Sequence, residues 1–261
     1  MIGSKGNKKA EEYIANIYKN LGLSPMFNNS YYEKYYQEVI PIYGESSNTI
    51  KTETVNNIVG VIKGNDSKKA VVISAHFDHI GYINGKIIRG ALDNASGTSA
   101  IIEIAKVLKE KSCKKAFNMD IIICAFNGEE EGQQGSRAFV HDVESLYDNI
   151  YNINIDSIGA KEGGELTLKY KIKISSKLYT AMKTTIKNDN IKFSESSVEG
   201  ATDSNSFQYQ NIPSISLVDE NVKTLVHKPT DTPEILDYEK IKIISDCICD
   251  FVQKNDGMIF K

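Results

Sequence analysis

Long apolar runs are missing from this sequence, and it contains only four histidines and four cysteines. The longest apolar runs, such as residues 121–126, are far too short to cross a bilayer. The first residues, MIGSKGNKKAEEYIANIY, are polar with a helical pattern and lack the apolar region of a signal peptide. We therefore expect a soluble protein with no membrane partner, and a secreted parent whose leader was removed is the alternative.

A large charge of either sign is also missing, because 31 basic side chains face 34 acidic ones and the formal net charge is −3. The lysines are spread along the chain and form no basic block, which excludes nucleic acid as an expected partner. A chain of 261 residues with 41% hydrophobic and 25% charged residues has ordinary globular composition. We see no internal repeat, linker or composition break, so residues 1–261 are expected to form a single domain of unknown oligomeric state.

The few cysteines show no CxxC spacing. Cys124 lies within an apolar strand pattern, whereas Cys247 and Cys249 lie two residues apart on a predicted helix and point to nearly opposite sides. Free cysteine behaves as a small apolar residue. We therefore expect four unpaired thiols and a reducing compartment, which favours a cytoplasmic location.

Five short apolar runs indicate strands that are covered on both faces, and five helical patterns alternate with them. The predicted strands are 57–62, 71–75, 121–126, 150–155 and 215–218, and the predicted helices are 8–21, 96–111, 136–147, 176–187 and 238–253. The alternation predicts an α/β fold, a three-layer sandwich whose mostly parallel, mixed central β-sheet is flanked by helices. Asp237 is the expected N-cap of the last helix.

The segment 24–48 is rich in tyrosine and asparagine. It predicts an extended surface crossing with one or two edge strands, and a substrate-binding rim is the alternative.

Acids and histidines follow several of the predicted strands. They are His76 and Asp78 after residues 71–75, Asp93 in the loop GALDNASG, Glu129 and Glu130 after 121–126, Asp156 after 150–155, and His227 in the loop LVHKPTDTPE. The carboxyl ends of parallel strands converge at one edge of a sheet. Two histidines and three carboxylates there form the nitrogen and oxygen donor set that zinc prefers, enough for two ions that share one carboxylate. The same set can hold cobalt or manganese.

Each of these residues also has an ordinary structural explanation. His76 taken alone indicates a hydrogen-bonded structural histidine, Asp93 a turn or capping residue, and GEEEG a solvated acidic loop. His79 competes with His76 for the ligand role, but HFDH lacks the spacing of a helical zinc-protease motif, so we assign it outside the ligand set. His141 is expected at the surface.

Taken together, five motifs resemble those of the zinc-dependent aminopeptidases of peptidase family M28, in the family's order. They are SAHFDH, ALDNASG, FNGEEEGQQGS, NINIDSIG and LVHKPTDT. The resemblance covers nearly the whole chain and implies the fold of the zinc-peptidase and phosphorylase/hydrolase-like proteins. It also implies hydrolysis of peptides that carry a free N-terminus, and a cis peptide bond after Asp93.

The resemblance further implies two zinc ions bridged by Asp93, with a role for each remaining motif residue. His76 and Asp156 complete one zinc site, and Glu130 and His227 complete the other. The carboxylate of Asp78 accepts the free N–H of the histidine ligand two residues before it. Glu129 is the general base for the water that the metals activate.

The sequence departs from the family pattern in two places. Ser204 stands in TDSNSF where many relatives have a histidine, and neither Glu199 nor Val226 can supply the tyrosine hydroxyl that some relatives place near the oxyanion. Zinc itself or Tyr82 is the expected substitute. A glutaminyl-cyclase-like transferase with one zinc ion and a non-catalytic binding domain of the same fold are the alternatives, and the sequence gives no side-chain preference for the substrate.

Overall fold

Helices and strands alternate along the chain in a computed structural model that describes residues 1–39 and 50–261. The helices are α1 (Lys5–Asn20), α2 (Gly97–Ser112), α3 (Gln134–Val143), α4 (Ser176–Asn188), α5 (Ser204–Tyr209) and α6 (Tyr238–Lys254). The strands are β1 (Ser24–Pro25), β2 (Tyr32–Val39), β3 (Lys51–Ile62), β4 (Lys69–His76), β5 (Tyr82–Ile83), β6 (Lys86–Ile87), β7 (Asp120–Phe126), β8 (Asn149–Ile155), β9 (Leu166–Lys169) and β10 (Ser214–Asp219). All five predicted strands and all five predicted helices are present.

The central sheet is mixed, with a parallel core and antiparallel edges. Its strand order is β1-β3-β7-β4-β8-β10-β9, and β2 also pairs with β3. Strands β7, β4, β8 and β10 run parallel to one another, whereas β3 and β9 are antiparallel to their neighbours. The carboxyl ends of four strands therefore meet at one edge. A hairpin of β5 and β6 forms a separate small sheet.

Helices cover both faces of the sheet. Successive side chains of a strand point to opposite faces, so each buried strand contributes side chains to the core on both sides. Val71 and Ile73 pack in the larger core with side chains of α1, α2, α4 and α6. Val72 packs on the other face with Phe139 of α3 and Phe207 of α5. This arrangement confirms the predicted three-layer sandwich.

Strand β8 is predicted as a continuous apolar run, but it contains two asparagines, Asn152 and Asn154, and both are fully buried. Asn154 accepts a hydrogen bond from Ser74 of β4 at 2.9 Å and donates one to Ser216 of β10 at 3.2 Å. Asn152 donates to Ser74 at 2.9 Å. Buried amides are tolerated in the sheet because neighbouring strands supply their hydrogen-bond partners.

Several local predictions are confirmed. Strands β1 and β2 supply the expected edge strands within 24–48, and residues 40–49 lie outside the described part of the chain. Asp237 caps α6 by accepting the backbone N–H groups of Glu239 and Lys240. His141 is exposed and all four cysteines are free. Over the described residues, no helix combines the length and apolar character needed to cross a membrane.

Candidate metal centre

The structure brings all seven predicted site residues to the carboxyl edge of the parallel strands. They are His76 and Asp78 at the end of β4, Asp93 in the turn before α2, Glu129 and Glu130 after β7, Asp156 after β8, and His227 beyond β10. The peptide bond between Asp93 and Asn94 is cis, as the resemblance implies. Side chains separated by up to 151 positions in the sequence, counted from His76 to His227, are therefore neighbours in the fold.

The first group of donor atoms lies around His76, which is almost fully buried. Its Nε2 atom is 3.2 Å from Asp93 Oδ1 and 3.7 Å from Asp156 Oδ1. One donor atom from each of these three residues lies within 4.8 Å of the donor atoms of the other two. This group corresponds to the first predicted zinc site.

The second group shares Asp93 with the first. His227 Nε2 is 3.0 Å from Asp93 Oδ2 and 3.0 Å from Glu130 Oε2. Asp93 therefore presents one carboxylate oxygen to each group. This is the arrangement that a bridging carboxylate requires.

His79 lies closer to the second group than the sequence analysis assumed. Its Nδ1 atom is 2.8 Å from Glu130 Oε1, and its ring packs edge-on against that of His227 at 5.8 Å. It also forms a potential ligand group with Asp93 and Glu130. Over the described residues, neither ring nitrogen of His79 makes a hydrogen bond of good geometry.

Asp78 makes different contacts from those implied by the resemblance. Its carboxylate lies 3.7 Å from His76 Nδ1, and that nitrogen is instead 3.3 Å from the backbone carbonyl oxygen of Asp78. The two carboxylate oxygens accept the backbone N–H groups of Glu129 at 3.1 Å and Glu130 at 3.2 Å. Asp78 therefore fixes the backbone of the acidic loop as well as lying beside His76.

Two further residues hold the turn that contains Asp93, and the sequence analysis did not single them out. Asp231 accepts the backbone N–H groups of Leu92 at 2.6 Å and of Asp93 at 3.2 Å. Asn94 donates to the carbonyl of Ile155 at 2.9 Å and accepts from the N–H of Ser157 at 3.0 Å. The turn is thereby tied to the end of β8 and to the loop after β10.

The acidic loop after β7 is anchored at its base by buried side chains of β2 and β3. Tyr35 donates its hydroxyl to the carbonyl of Asn127 at 2.8 Å. Asn57 accepts the N–H of Asn127 at 2.9 Å and donates to the carbonyl of Gly135 at 2.8 Å. Strand β2, at the edge of the sheet, therefore helps to position the loop.

The packed carboxylates control the ionisation of the site. Burial lowers the pKa of His76, but the surrounding carboxylates, with Asp156 the strongest, outweigh burial and hold it well above its ordinary value. Contacts with Asp93 and Glu130 raise the pKa of His227 to about 10. Burial, aided by neighbouring carboxylates, raises the pKa of Glu129 well above its ordinary value.

The donor atoms of the two groups are better suited to binding a cation than to hydrogen bonding with one another. Each group combines imidazole nitrogen with carboxylate oxygen, the donors that zinc prefers. Glu130 Oε1 and His79 Nδ1 lie 2.8 Å apart without good hydrogen-bond geometry, and His79 Nε2 is buried without a hydrogen-bond partner among the described residues. Buried polar atoms of this kind are costly unless something binds them. The geometry therefore suits a metal centre.

A cleft of about 420 Å³ opens beside both groups. Its lining combines the carboxylates of Asp93, Glu129, Glu130 and Asp156 with His227, four valines and two lysines. A ligand that enters this cleft therefore meets the carboxylates of both donor groups.

Comparison with known proteins identifies the family. The sequence model of peptidase family M28 matches residues 57–252. The chain is 28% identical over 209 residues to the aminopeptidase YwaD of Bacillus subtilis, which covers 75% of this chain and 44% of that protein. The chain therefore belongs to peptidase family M28, and it spans less than half the length of this relative.

Solved structures support the same fold. A zinc aminopeptidase from Bacillus subtilis superposes with a TM-score of 0.64 at 24% identity, covering 78% of this chain and 52% of that one. Glutaminyl cyclase from Porphyromonas gingivalis superposes with a TM-score of 0.76 at 17% identity, covering 97% of this chain and 91% of that one. At these identities the likeness concerns the fold alone.

Proposed function

We propose that this chain is a zinc-dependent aminopeptidase that removes the N-terminal residue from peptides, with two metal ions and Glu129 as the general base. The observation that carries the proposal is the sharing of Asp93 between two donor groups. Its Oδ1 faces His76 at 3.2 Å and its Oδ2 faces His227 at 3.0 Å. Membership of family M28, the similarity to aminopeptidase YwaD and the fold shared with a zinc aminopeptidase support the same proposal.

His76 and Asp156 would hold one zinc ion with Asp93, and Glu130 and His227 would hold the second. When bound, zinc supplies Lewis acidity that activates water and polarises the scissile carbonyl. Cobalt or manganese would suit the same donors.

Glu129 would move the protons of the reaction. It lines the same cleft as Asp93 and Asp156, close enough to His76 and Asp156 to interact with their charges. Burial raises its pKa, which favours a role in which Glu129 accepts a proton from water and returns it to the leaving amine. Asp78 would assist by fixing the backbone N–H groups of the acidic loop.

The substrate would be a peptide with a free N-terminus, whose ammonium group suits a cleft rich in carboxylates. We further propose that residues 1–261 form one catalytic domain and act in the cytoplasm. The metal and the hydroxyl of Tyr82 are the two candidates for stabilising the oxyanion of the reaction. Tyr82 lies on the exposed hairpin of β5 and β6.

A glutaminyl-cyclase-like acyl transfer is the second candidate, because glutaminyl cyclase from Porphyromonas gingivalis shares this fold over 91% of its length. The two readings differ in the number of metal ions. The pairing of His76 with Asp156 supports a second site and hence the peptidase. A metal count of two per chain would support the peptidase, and a count of one would favour the cyclase.

Hydrolysis assays on aminoacyl amides and on N-blocked peptides test the proposal directly. We expect cleavage of free-amine substrates, lost on chelation, restored by zinc, and lost in Glu129→Gln. Glu131→Gln is the matched control, because Glu131 lies in the same loop but its carboxylate accepts a hydrogen bond from Gln37 at 3.0 Å. Equal cleavage of blocked peptides would overturn the exopeptidase assignment.

A further inference from the structure

Two lysines face the cleft that also contains the acidic donor groups. Lys169 is the last residue of β9, and Lys223 lies in the loop between β10 and His227. We infer that Lys169 binds the side-chain carboxylate of the substrate's first residue, so that the enzyme prefers peptides beginning with aspartate or glutamate. The inference rests on the proposed aminopeptidase function and adds its substrate class.

Lys169 has hydrogen-bonding capacity that the protein does not use. An ammonium group has three N–H donors. The Nζ atom of Lys169 donates to the backbone carbonyl of Gly200 at 3.2 Å, and Lys169 takes part in none of the ion pairs found among the described residues. Lys223, in contrast, is paired with Glu199 at 2.5 Å. Lys169 is therefore the cation available to a ligand.

The surroundings of Lys169 favour a strong contact with an incoming anion. The side chain is half-buried, and burial lowers its pKa although Asp156 and Glu129 oppose that shift. An ion pair gains strength when water is partly excluded. Strand β9 also fixes the backbone, because Lys169 pairs with Ser216 in the antiparallel register with β10.

The first side chain of the substrate is the group that must occupy this cleft. The scissile carbonyl and the free amine have to lie against Asp93 and Glu129, which line the same cavity of about 420 Å³. The side chain between them then has the remaining wall as its neighbour. That wall contains Val198, Val218 and Val222, which suit methylene groups, and Lys169, which suits a terminal carboxylate.

The test compares wild type, Lys169→Met and Lys171→Met on chromogenic anilides of glutamate, aspartate, leucine and lysine. Lys171 is the matched control, because it lies two residues away and lines a neighbouring cavity instead of this cleft. We expect wild type to prefer the acidic anilides. Lys169→Met should lower kcat/KM for them by about 10- to 100-fold more than for the leucine anilide, the range of one charge-assisted hydrogen bond.

Charge reversal sharpens the test, since Lys169→Glu should turn the preference towards the lysine anilide. If Lys169→Met lowered kcat/KM equally for all four anilides, Lys169 would only balance the charge of the site carboxylates, and the inference would be overturned. A wild type that prefers leucine would also overturn it. A second arm compares Leu-Gly with Leu-Gly amide, and a Lys169-dependent preference for the free carboxylate would place the bound group at the C-terminus and overturn the inference as well.

Binding of free amino acids separates this inference from the proposed function. Calorimetry on the zinc-loaded protein should show L-glutamate binding more tightly than L-leucine, with the difference lost in Lys169→Met and kept in Lys171→Met. If that selectivity were found but no anilide were cleaved, the peptidase proposal would fail and the carboxylate site would stand. If anilides were cleaved without any selectivity for glutamate, the reverse would hold.

Discussion

The carboxylate of Asp78 offers the sharpest test of how the fold positions the site. It is buried, with 2% of its surface exposed, and accepts the backbone N–H groups of Glu129 and Glu130. An asparagine keeps one acceptor oxygen and turns an N–H₂ group towards the second donor. Asp78→Asn therefore removes one charge-assisted hydrogen bond, which contributes about 1.5–3 kcal/mol.

The loss should appear in stability and in metal binding. A loss of 1.5–3 kcal/mol lowers Tm by roughly 3–12 °C in a domain of this size. Because the freed loop includes Glu130, zinc affinity should fall about 10- to 100-fold, as is usual when a residue supporting a metal ligand is changed. Urea denaturation of the chelator-treated protein and competition with a zinc-binding dye measure the two quantities.

Asp120→Asn is the matched control at the opposite edge of the sheet. Asp120 is equally buried and accepts hydrogen bonds from the N–H of Gly64 at 2.9 Å and from Lys63 Nζ at 2.9 Å. It should lose comparable stability without any change in zinc affinity. The reasoning is refuted if Asp78→Asn binds zinc as tightly as wild type, or if the control weakens zinc binding to the same degree.

Three other outcomes are expected. Burial raises the pKa of Glu33 to about 8, so the folded state holds a proton that the unfolded state releases near pH 4.5. Stability should therefore fall as the pH rises from about 4.5 to 8. In Glu33→Gln, the dependence of Tm on pH across this range should be weaker. Phe139→Ala should lower the free energy of unfolding by about 3–5 kcal/mol in urea, because Phe139 is fully buried against Phe126 at 5.5 Å, whereas exposed Tyr36→Ala should stay within about 0.5 kcal/mol. Zinc added to chelator-treated protein should raise Tm. On the two-metal proposal, His227→Ala should reduce the bound metal from two ions per chain to one. Retention of both ions, or loss of both, would contradict this expectation.

The sequence places two of the predicted donor residues at the sheet edge because they lie directly after an apolar run. His76 follows 71–75 and Asp156 follows 150–155, so the rule for parallel strands places them at one edge without any knowledge of packing. A different signal, apolar periodicity, explains why the predicted strands and helices are present in the predicted order along the chain. Apolar periodicity is a local property, and each run is long enough to show it.

The residues that support the donors could not be found in the same way. Asp231 lies in a loop in which TDT indicates only a turn, and its role depends on the turn at Leu92 and Asp93 folding back against it. Lys169 ends a strand of four residues, LTLK, which is too short for a clear period. Both roles depend on contacts between distant segments, which a single sequence does not encode in its spacing.

The two halves of the site differ in how firmly the fold holds them. His76 and Asp156 lie at the ends of hydrogen-bonded central strands, with 1% and 8% of their surface exposed. The side chain of His227 is 45% exposed, and its backbone adopts a left-handed conformation with φ of 56° in a loop eight residues beyond β10. Ligands on rigid elements lose little entropy on binding, whereas a loop residue must be ordered. Under the proposed two-metal arrangement, the first group should therefore bind its ion more tightly, and the loop that contains His227 should set the affinity for the second.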